Sequence, residues 1–579
     1  MKNCVEEQFV KATIIGMEWE RVIVHMDVKL EMKDGQLDRD SFTYYAVNGL
    51  YKARAMFKAN VLEDGIVRLS MNITNPGDCQ CLRMGTYSIL VCDESRILAK
   101  CVVDPSIVPY MEDYSRSFLH NNRGKTFVVN FSVAEEEDEL PLVMYAMDAT
   151  KSPVNLQSNR EIVKEALAEP RVLIKKNMGR IRWKFLYHRY VKKYRKVKKT
   201  IMFMTEQSAV LGSNLQAVRN RMVERGLDKE YTILTSARPA SYEKQTKKST
   251  KELIKKMAQC SMIFIDDHAP IFDWLELNPR TKLIQLWHAG AGFKSSGYSR
   301  WGHLGCPAPV SCHRQYKYGI AGSRNIGKFF SEVFGINDEQ ILPTGMPRMD
   351  EYLDNEYRKK KTEELYQLYP MCKGKKVILF APTYRGKNRA TAYYPYEMID
   401  FKRLYEFCGD EYVVLFKMHP WVAFPVPIEE NMKNCFIDVN TFPNINDLFY
   451  ITDLLITDYS SNIFEFSLMK KPMLFYAFDK IQYSFSRGFH RDYEEAAPGK
   501  VCYDFEQLMQ ALENKDFEYE KVEEYVEKHF DYIDSGASDR VIDWILLGNV
   551  PQDIKQEIAK NAHAIKRMRK LDFSELKKE

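Results

Sequence analysis

LIQLWHAGAGFK, residues 283–294, is the stretch whose reading decides the fold. It opens as a short apolar run of strand type and breaks at His288 into small and basic residues. VVLFKMHP (413–420) repeats the pattern around His419, and LLITDYSSNIFE (454–465) repeats it with Ser460 and Ser461 at a helix start. Ligands of open α/β sheets bind in the crevice outside the carboxyl ends of the strands. Three such endings, rich in histidine, hydroxyl and basic groups, predict a site for a phosphorylated ligand.

Working outward, TIMFMT, YTILTS, CSMIFID, KLIQLW and YGIAGS read as buried strands separated by helices such as SNLQAVRNRMVERG. A second block follows from residue 374 with KKVILFAPTY, YVVLFKMH, DLLITD and PMLFYA. The prediction is α/β: two facing Rossmann-like domains, 200–370 and 371–548, with the ligand cleft between them. Residues 1–150 read as a small β-rich, sandwich-like domain of short strands between turn clusters such as KDG, EDG and NPGD. A linker and a basic amphipathic helix fill 151–199, and a basic helical tail, 549–579, covers the first α/β domain or touches a membrane.

At 579 residues the chain is too long for one ordinary core. A net charge of +5 makes the location of charge matter more than its total. The 12 cysteines are scattered, which predicts reduced thiols in a cytosolic protein and removes any weight from the sequons at Asn72 and Asn130. There is no signal-peptide pattern at the start and no run of the ~20 apolar residues that a membrane span needs. The helix over 171–200 has many Lys and Arg, no Asp or Glu, and an aromatic stripe. Arg182, Trp183, Lys184, Tyr187, Arg189, Lys192, Lys193, Arg195 and Lys196 are the candidates for contact with an anionic membrane surface. The competing reading packs this helix on its own domain. Nucleic acid is disfavoured because no binding module accompanies the helix.

His288, followed by Ala289, Gly290, Ala291 and Gly292, can take a proton from an attacking hydroxyl, while the small residues allow close backbone approach to a ligand. His419 beside Lys417 and Met418 suits a diphosphate. Ser460 and Ser461 offer hydroxyls and helix amides to an anion, and Glu465 a carboxylate for ribose hydroxyls. Arg348 in LPTGMPRMD, and Pro382, Thr383 and Arg385 in FAPTYRG, end further strands; arginine brings a planar fork for phosphate oxygens. Lys294, Asp266, Asp267 and Asp458 are supporting candidates. No metal box stands out. Asp38-Arg39-Asp40 falls in the β-rich part, EEEDE at 135–139 lacks a completing ligand, and Asp266, Asp267 and His268 more naturally end a strand than hold a cation.

As a set, in order and spacing, WHAGAGFK, TGMPRMD, APTYRG, KMHP and ITDYSSNIFEF resemble the CDP-glycerol glycerophosphotransferase family of wall teichoic acid enzymes over about residues 200–545. TIIGMEWERVIV resembles the front domain of the larger polymerases. The resemblance implies a GT-B fold and a peripheral place at the cytoplasmic membrane face. It implies no cofactor beyond a CDP-ribitol or CDP-glycerol donor, a lipid-linked (undecaprenyl) teichoic acid acceptor, and contact with other assembly enzymes. It carries the two essential histidines onto His288 and His419. Donor contacts fall on His288 to Gly292, Arg348, Pro382, Thr383, Lys417 to His419, Ser460, Ser461 and Glu465. Glycerol-type members carry Thr-Pro after WHG, whereas WHAGAGFKSSGYSR is closer to the ribitol type; the alditol stays open. A nucleotide-sugar transferase and a non-catalytic membrane scaffold are the alternatives.

Overall fold

The computed structural model describes residues 10–32, 42–48, 53–62, 65–93, 97–120, 125–134, 139–149, 170–195, 199–241, 243–291, 293–303, 305–386 and 389–570. Asp38-Arg39-Asp40, most of EEEDE, Gly292, Lys196 and the linker before the basic helix lie outside them.

Among its described residues, the N-terminal part is antiparallel strand apart from short helical turns and one parallel edge pairing. Val10–Glu20 and Ile23–Met32 form a hairpin whose turn places Arg21 at φ 53°. Alternate residues, Ile14, Val24, Met26 and Val28 among them, share one core with Tyr44, Ile89, Val129 and Met144 from the rest of the sheet. Strands at Thr43–Asn48, Ala53–Val61, Ile97–Lys100 and Arg116–His120 were not foreseen. They are short and flanked by charge, so their period-2 signal is weak.

Two six-stranded parallel sheets follow. The first runs in the order Thr232–Ala237, Thr200–Thr205, Met262–Ile265, Lys282–Gln285, Tyr316–Ile320, Ile341–Leu342. The second runs Phe436–Asp438, Tyr412–Phe416, Lys376–Phe380, Leu454–Thr457, Met473–Tyr476, Lys500–Cys502. Their central strands are buried on both faces, as parallel sheets covered by helices require. Strand order reverses next to Thr200–Thr205 in the first sheet and next to Lys376–Phe380 in the second, which opens a crevice at each carboxyl end.

The chain then returns. Residues 537–546, expected in the second block, pack on the first instead. Asp350 accepts the N–H groups of Ala537 and Ser538 at 2.8 and 2.7 Å, and Asp539 and Asp543 pair with Arg221 and Arg225. The helix Gln552–Lys570 continues to the N-terminal sheet, against Ala53–Val61.

The basic helix spans Pro170–Lys193. Tyr187 corrects the expectation of a membrane-facing stripe: it is fully buried in the core of the first sheet, with its hydroxyl accepting from the Asn278 N–H at 3.0 Å. Trp183 is half-buried against the same core. Arg182, Lys184, Arg189, Lys192, Lys193 and Arg195 are exposed, as are Met178, Ile181 and Phe185.

The three parts meet at a buried ion-pair group. Arg21 of the N-terminal hairpin donates to both oxygens of Glu332, at 3.0 and 2.8 Å. Glu332 lies on the helix Arg324–Phe334 of the first α/β part, and His490 of the second lies 3.0 Å from the same carboxylate. Burial alone would raise the Glu332 carboxyl, but His490 and Arg21 overcome it and hold the group down at about 2. Arg21→Ala removes one of the two partners of that buried carboxylate and is expected to cost about 3 kcal/mol. Chemical denaturation checks this; an unchanged midpoint would mean that the joint adds nothing to stability.

Candidate functional site

Each strand-end motif arrives at the cleft between the two parallel sheets. Trp287, directly before His288, takes φ 49°, a left-handed turn unusual for a bulky side chain. It is held there by its N–H to Gln285 Oε1 (2.9 Å) and by Asn214, which donates to the carbonyls of Leu286 and Trp287 at 3.1 and 2.8 Å. The turn presents His288 half-exposed. Its Nδ1 lies 3.1 Å from the Asp266 carbonyl and 3.4 Å from Asp267 Oδ2. A carbonyl only accepts, so Nδ1 carries the proton and Nε2 is left with a lone pair.

His419 is held in the opposite sense. Its Nδ1 accepts the Trp421 N–H at 3.2 Å, so in the neutral ring the proton sits on Nε2. Burial first, then the positive charges of Lys294 and Lys417, push this imidazole down to about 4. The ring packs on Tyr384, centroids 4.6 Å apart.

A cavity of about 310 Å³ joins the two halves. Trp287, His288, Ala289, Ala291 and Lys294 come from the first half; Thr383, Tyr384, Ser461, Tyr483 and Arg487 come from the second. The Thr383 hydroxyl is buried without a hydrogen-bond partner, while its N–H donates to Asp458 Oδ1 at 2.7 Å. Ser460 Oγ accepts from the Asn462 N–H (3.3 Å) ahead of a helix, Ile463–Ser467, much shorter than the sequence suggested.

The expected phosphate-binding cations are otherwise engaged. Arg348 donates through Nε to Glu465 at 2.8 Å, through Nη2 to the same carboxylate, and through Nη1 to the His288 carbonyl at 2.6 Å. Glu465 is 2% exposed and bound to this arginine, so no free carboxylate stands ready for ribose hydroxyls. Arg385 pairs with Asp458 and Asp479 beneath the cleft. Lys417 gives its ammonium to the carbonyls of Asn440 and Phe442, both at 2.7 Å, and the Met418 N–H goes to Asn440 Oδ1. Pro382 and Met418 are buried.

Gly290 is small for a different reason from the one expected. A Cβ there would stand 2.4 Å from the Phe464 ring, so the glycine admits the neighbouring half of the protein. Tyr384, Tyr483 and Arg487 were missed by sequence reasoning. Their only signal was an Arg-Gly pair among aromatics, YSFSRGF, matching the YRG at 384–386.

Asp266 and Asp267 face His288 rather than a cation. His268 pairs with Asp273 at 3.0 Å, and with Cys312 these two bring one ligand atom each within 4.8 Å. This is the one group of metal-ligand type among the described residues, and it holds itself together: Asp273 Oδ1 also accepts the Cys312 N–H at 3.0 Å. None of the described cysteines forms a disulfide.

Comparison with known proteins places this architecture. The family model described as CDP-Glycerol:Poly(glycerophosphate) glycerophosphotransferase matches residues 186–547, and the chain belongs to this family. It is 40% identical over 345 residues to the teichoic acid ribitol-phosphate polymerase TarL of Staphylococcus aureus, covering 59% of this chain and 61% of that protein. It is 37% identical over 366 residues to the teichoic acid poly(ribitol-phosphate) polymerase of Bacillus spizizenii, covering 62% and 58%. The chain therefore matches about three-fifths of the length of these relatives. Among solved structures, the wall teichoic acid polymerase TagF, in a variant soaked with CDPG, aligns at TM-score 0.51 and 22% identity over 69% of this chain and 100% of that one. The likeness is one of fold: mixed α/β, here with a sheet-rich N-terminal region.

In the ligand-free protein the His419 ring should titrate near pH 4, and Lys294→Met should raise that midpoint by removing a neighbouring positive charge. An NMR titration of the ring checks both; a midpoint at the ordinary 6.5 would show that the ring is neither desolvated nor near the lysine.

Proposed function

We propose that this protein transfers an alditol phosphate, ribitol or glycerol, from a CDP-alditol to a hydroxyl of a lipid-linked teichoic acid acceptor, releasing CMP from a GT-B type cleft. The observation that carries the reading is a complementary pair of tautomers at the strand ends of the two halves: His288, which lines the cavity, with a free Nε2 lone pair, and His419, packed on the cavity-lining Tyr384, with an Nε2–H.

The roles follow. The acceptor hydroxyl sits at His288 Nε2, which takes its proton as the oxygen attacks the alditol-bearing phosphorus. A new P–O bond forms and the P–O bond to the CMP phosphate breaks. His419 Nε2–H donates to the leaving phosphate oxygen, where negative charge grows. Asp266 and Asp267 orient the base, and the Thr383 and Ser461 hydroxyls line the space for the donor phosphates. Phosphoryl transfer asks mainly for such positioning and charge stabilisation.

CMP release from CDP-ribitol and CDP-glycerol, assayed in parallel with a lipid-linked acceptor, tests the reading. One donor should be consumed, and His288→Ala and His419→Ala should each lower kcat by about 10²–10⁴-fold. Consumption of a nucleotide sugar instead, with neither CDP-alditol used, would replace the proposal with a sugar transferase. Full activity in both variants would remove the histidines from the mechanism.

The same reading needs the protein at a membrane surface. Among the described residues no helix is long and apolar enough to cross one. The helix Pro170–Lys193 offers exposed Met178, Ile181 and Phe185 beside exposed Arg182, Lys184, Arg189, Lys192 and Lys193, which suits an anionic interface. Flotation with anionic liposomes should weaken as salt rises, and charge reversal at Arg189, Lys192 and Lys193 should release the protein. Unchanged flotation after the reversal would refute interfacial binding by this helix.

A further inference from the structure

Three side chains that do not line the cavity bring donor atoms of different chemistry close to one point. His268 follows the strand Met262–Ile265, Asp273 closes the turn Pro270–Asp273, and Cys312 opens the turn Cys312–Gln315. His268 Nε2 lies 3.0 Å from Asp273 Oδ2, and one atom of each of the three residues falls within 4.8 Å of the other two. Tetrahedral zinc holds sulfur at ~2.3 Å and nitrogen or oxygen at ~2.0–2.2 Å, so its donor atoms stand roughly 3.5 Å apart. His268 and Asp273 are each 37% exposed, and small rotations of these two side chains close the remaining gap.

The loops that carry the three groups are fastened to one another. Gln315 Nε2 donates to the carbonyls of Phe272 and Leu275 at 2.7 and 3.0 Å, which ties the turn of Asp273 to the turn of Cys312. Gln207 Nε2 donates to the His268 carbonyl at 2.6 Å. Asp273 Oδ1 takes the Cys312 N–H at 3.0 Å, so this carboxylate is oriented by one oxygen while the other faces His268. Outer partners of this kind set ligands in place before a metal arrives. An ion pair between His268 and Asp273 accounts for two of the three groups. It gives no role to the sulfur, which is buried and reaches the point from a loop 39 positions beyond Asp273.

The donor set indicates which ion. Magnesium and calcium take oxygen ligands, whereas thiolate, imidazole and carboxylate together suit zinc and its neighbours. The exposed edges of His268 and Asp273 provide an entry path and leave the fourth position to water.

The cluster is also connected to the turn before His288. Cys312 Sγ lies 3.3 Å from the Tyr316 hydroxyl, and Gln285 Nε2 donates to that hydroxyl at 3.0 Å. Gln285 Oε1 in turn accepts the N–H of Trp287, the residue in the left-handed conformation. We infer that His268, Asp273 and Cys312 bind one divalent cation of the zinc class, and that through Tyr316 and Gln285 the bound ion steadies the turn that presents His288. The inference stands independently of the reaction proposed above.

Untagged full-length protein, loaded with Zn²⁺ or Co²⁺ and dialysed against metal-free buffer, tests it. Wild-type protein should retain one equivalent, and the cobalt form should show a thiolate-to-cobalt charge-transfer band. Cys312→Ser should lose the band. His268→Gln and Asp273→Asn should each weaken binding at least about 100-fold, more than the loss of an outer partner costs. Zn²⁺ should raise the Tm of the wild type and not of the variants. Asp273→Asn keeps an oxygen for the Cys312 N–H, so it remains informative if Cys312→Ser does not fold. Amide hydrogen exchange over residues 283–291 should slow when Zn²⁺ is added to the wild type, and stay unchanged in Asp273→Asn. No retained metal, cobalt bound without the thiolate band, or equal retention by all variants would overturn the site. Metal bound through the thiolate with exchange at 283–291 unchanged would overturn its link to His288.

Discussion

The cleft depends on one ion pair that crosses it. Arg348 ends a loop of the first α/β half and Glu465 sits on a short helix of the second; the carboxylate is buried, the arginine is partly so, and the arginine also holds the His288 carbonyl. A buried pair of this kind adds little net stability, since desolvation offsets the attraction, yet breaking it leaves an uncompensated charge and is strongly unfavourable. Its effect is therefore on geometry. It fixes how far the strand ends of the two sheets stand apart, at the point where the loop carrying His288 begins. Gly290 against the Phe464 ring does the same by contact, and nothing larger fits there. The two histidines are thus positioned by groups that carry no chemistry themselves.

A second consequence concerns charge. Basic residues near a strand end suggest anion binding, but a cation held by carboxylates or carbonyls has little left for a ligand. Arg385 between Asp458 and Asp479 braces the second half beneath the cleft, and Lys417 fastens the loop at 440–442 behind His419. The charge that faces open space belongs to Lys294 and Arg487, which stand 193 positions apart in sequence and meet only because the halves face one another.

This explains what the sequence disclosed and what it withheld. Central strands such as Thr200–Thr205 and Lys376–Phe380 were legible because burial on both faces leaves an uninterrupted apolar run. Edge strands such as Ile341–Leu342 and Phe436–Asp438 have too few residues to establish a period. His288, His419 and Ser461 were legible as endings of strong strands. Tyr384 and Arg487 were not, since their proximity is set by tertiary packing alone. The aromatic stripe at 183–194 was read as periodic, with a membrane surface and the helix's own domain as competing partners. Periodicity identifies a helical face but not the partner it meets, and Tyr187 met the core.

The tautomers of the two histidines follow from main-chain groups whose hydrogen-bonding sense is invariant. A carbonyl at Asp266 cannot donate, and the N–H of Trp421 cannot accept. The division between a proton-accepting and a proton-donating imidazole is thus written into the backbone and does not require unequal proton affinities to maintain it. The low affinity of His419 for a second proton supports the arrangement, because a ring that stays neutral in the empty cleft keeps the acceptor role of Nδ1.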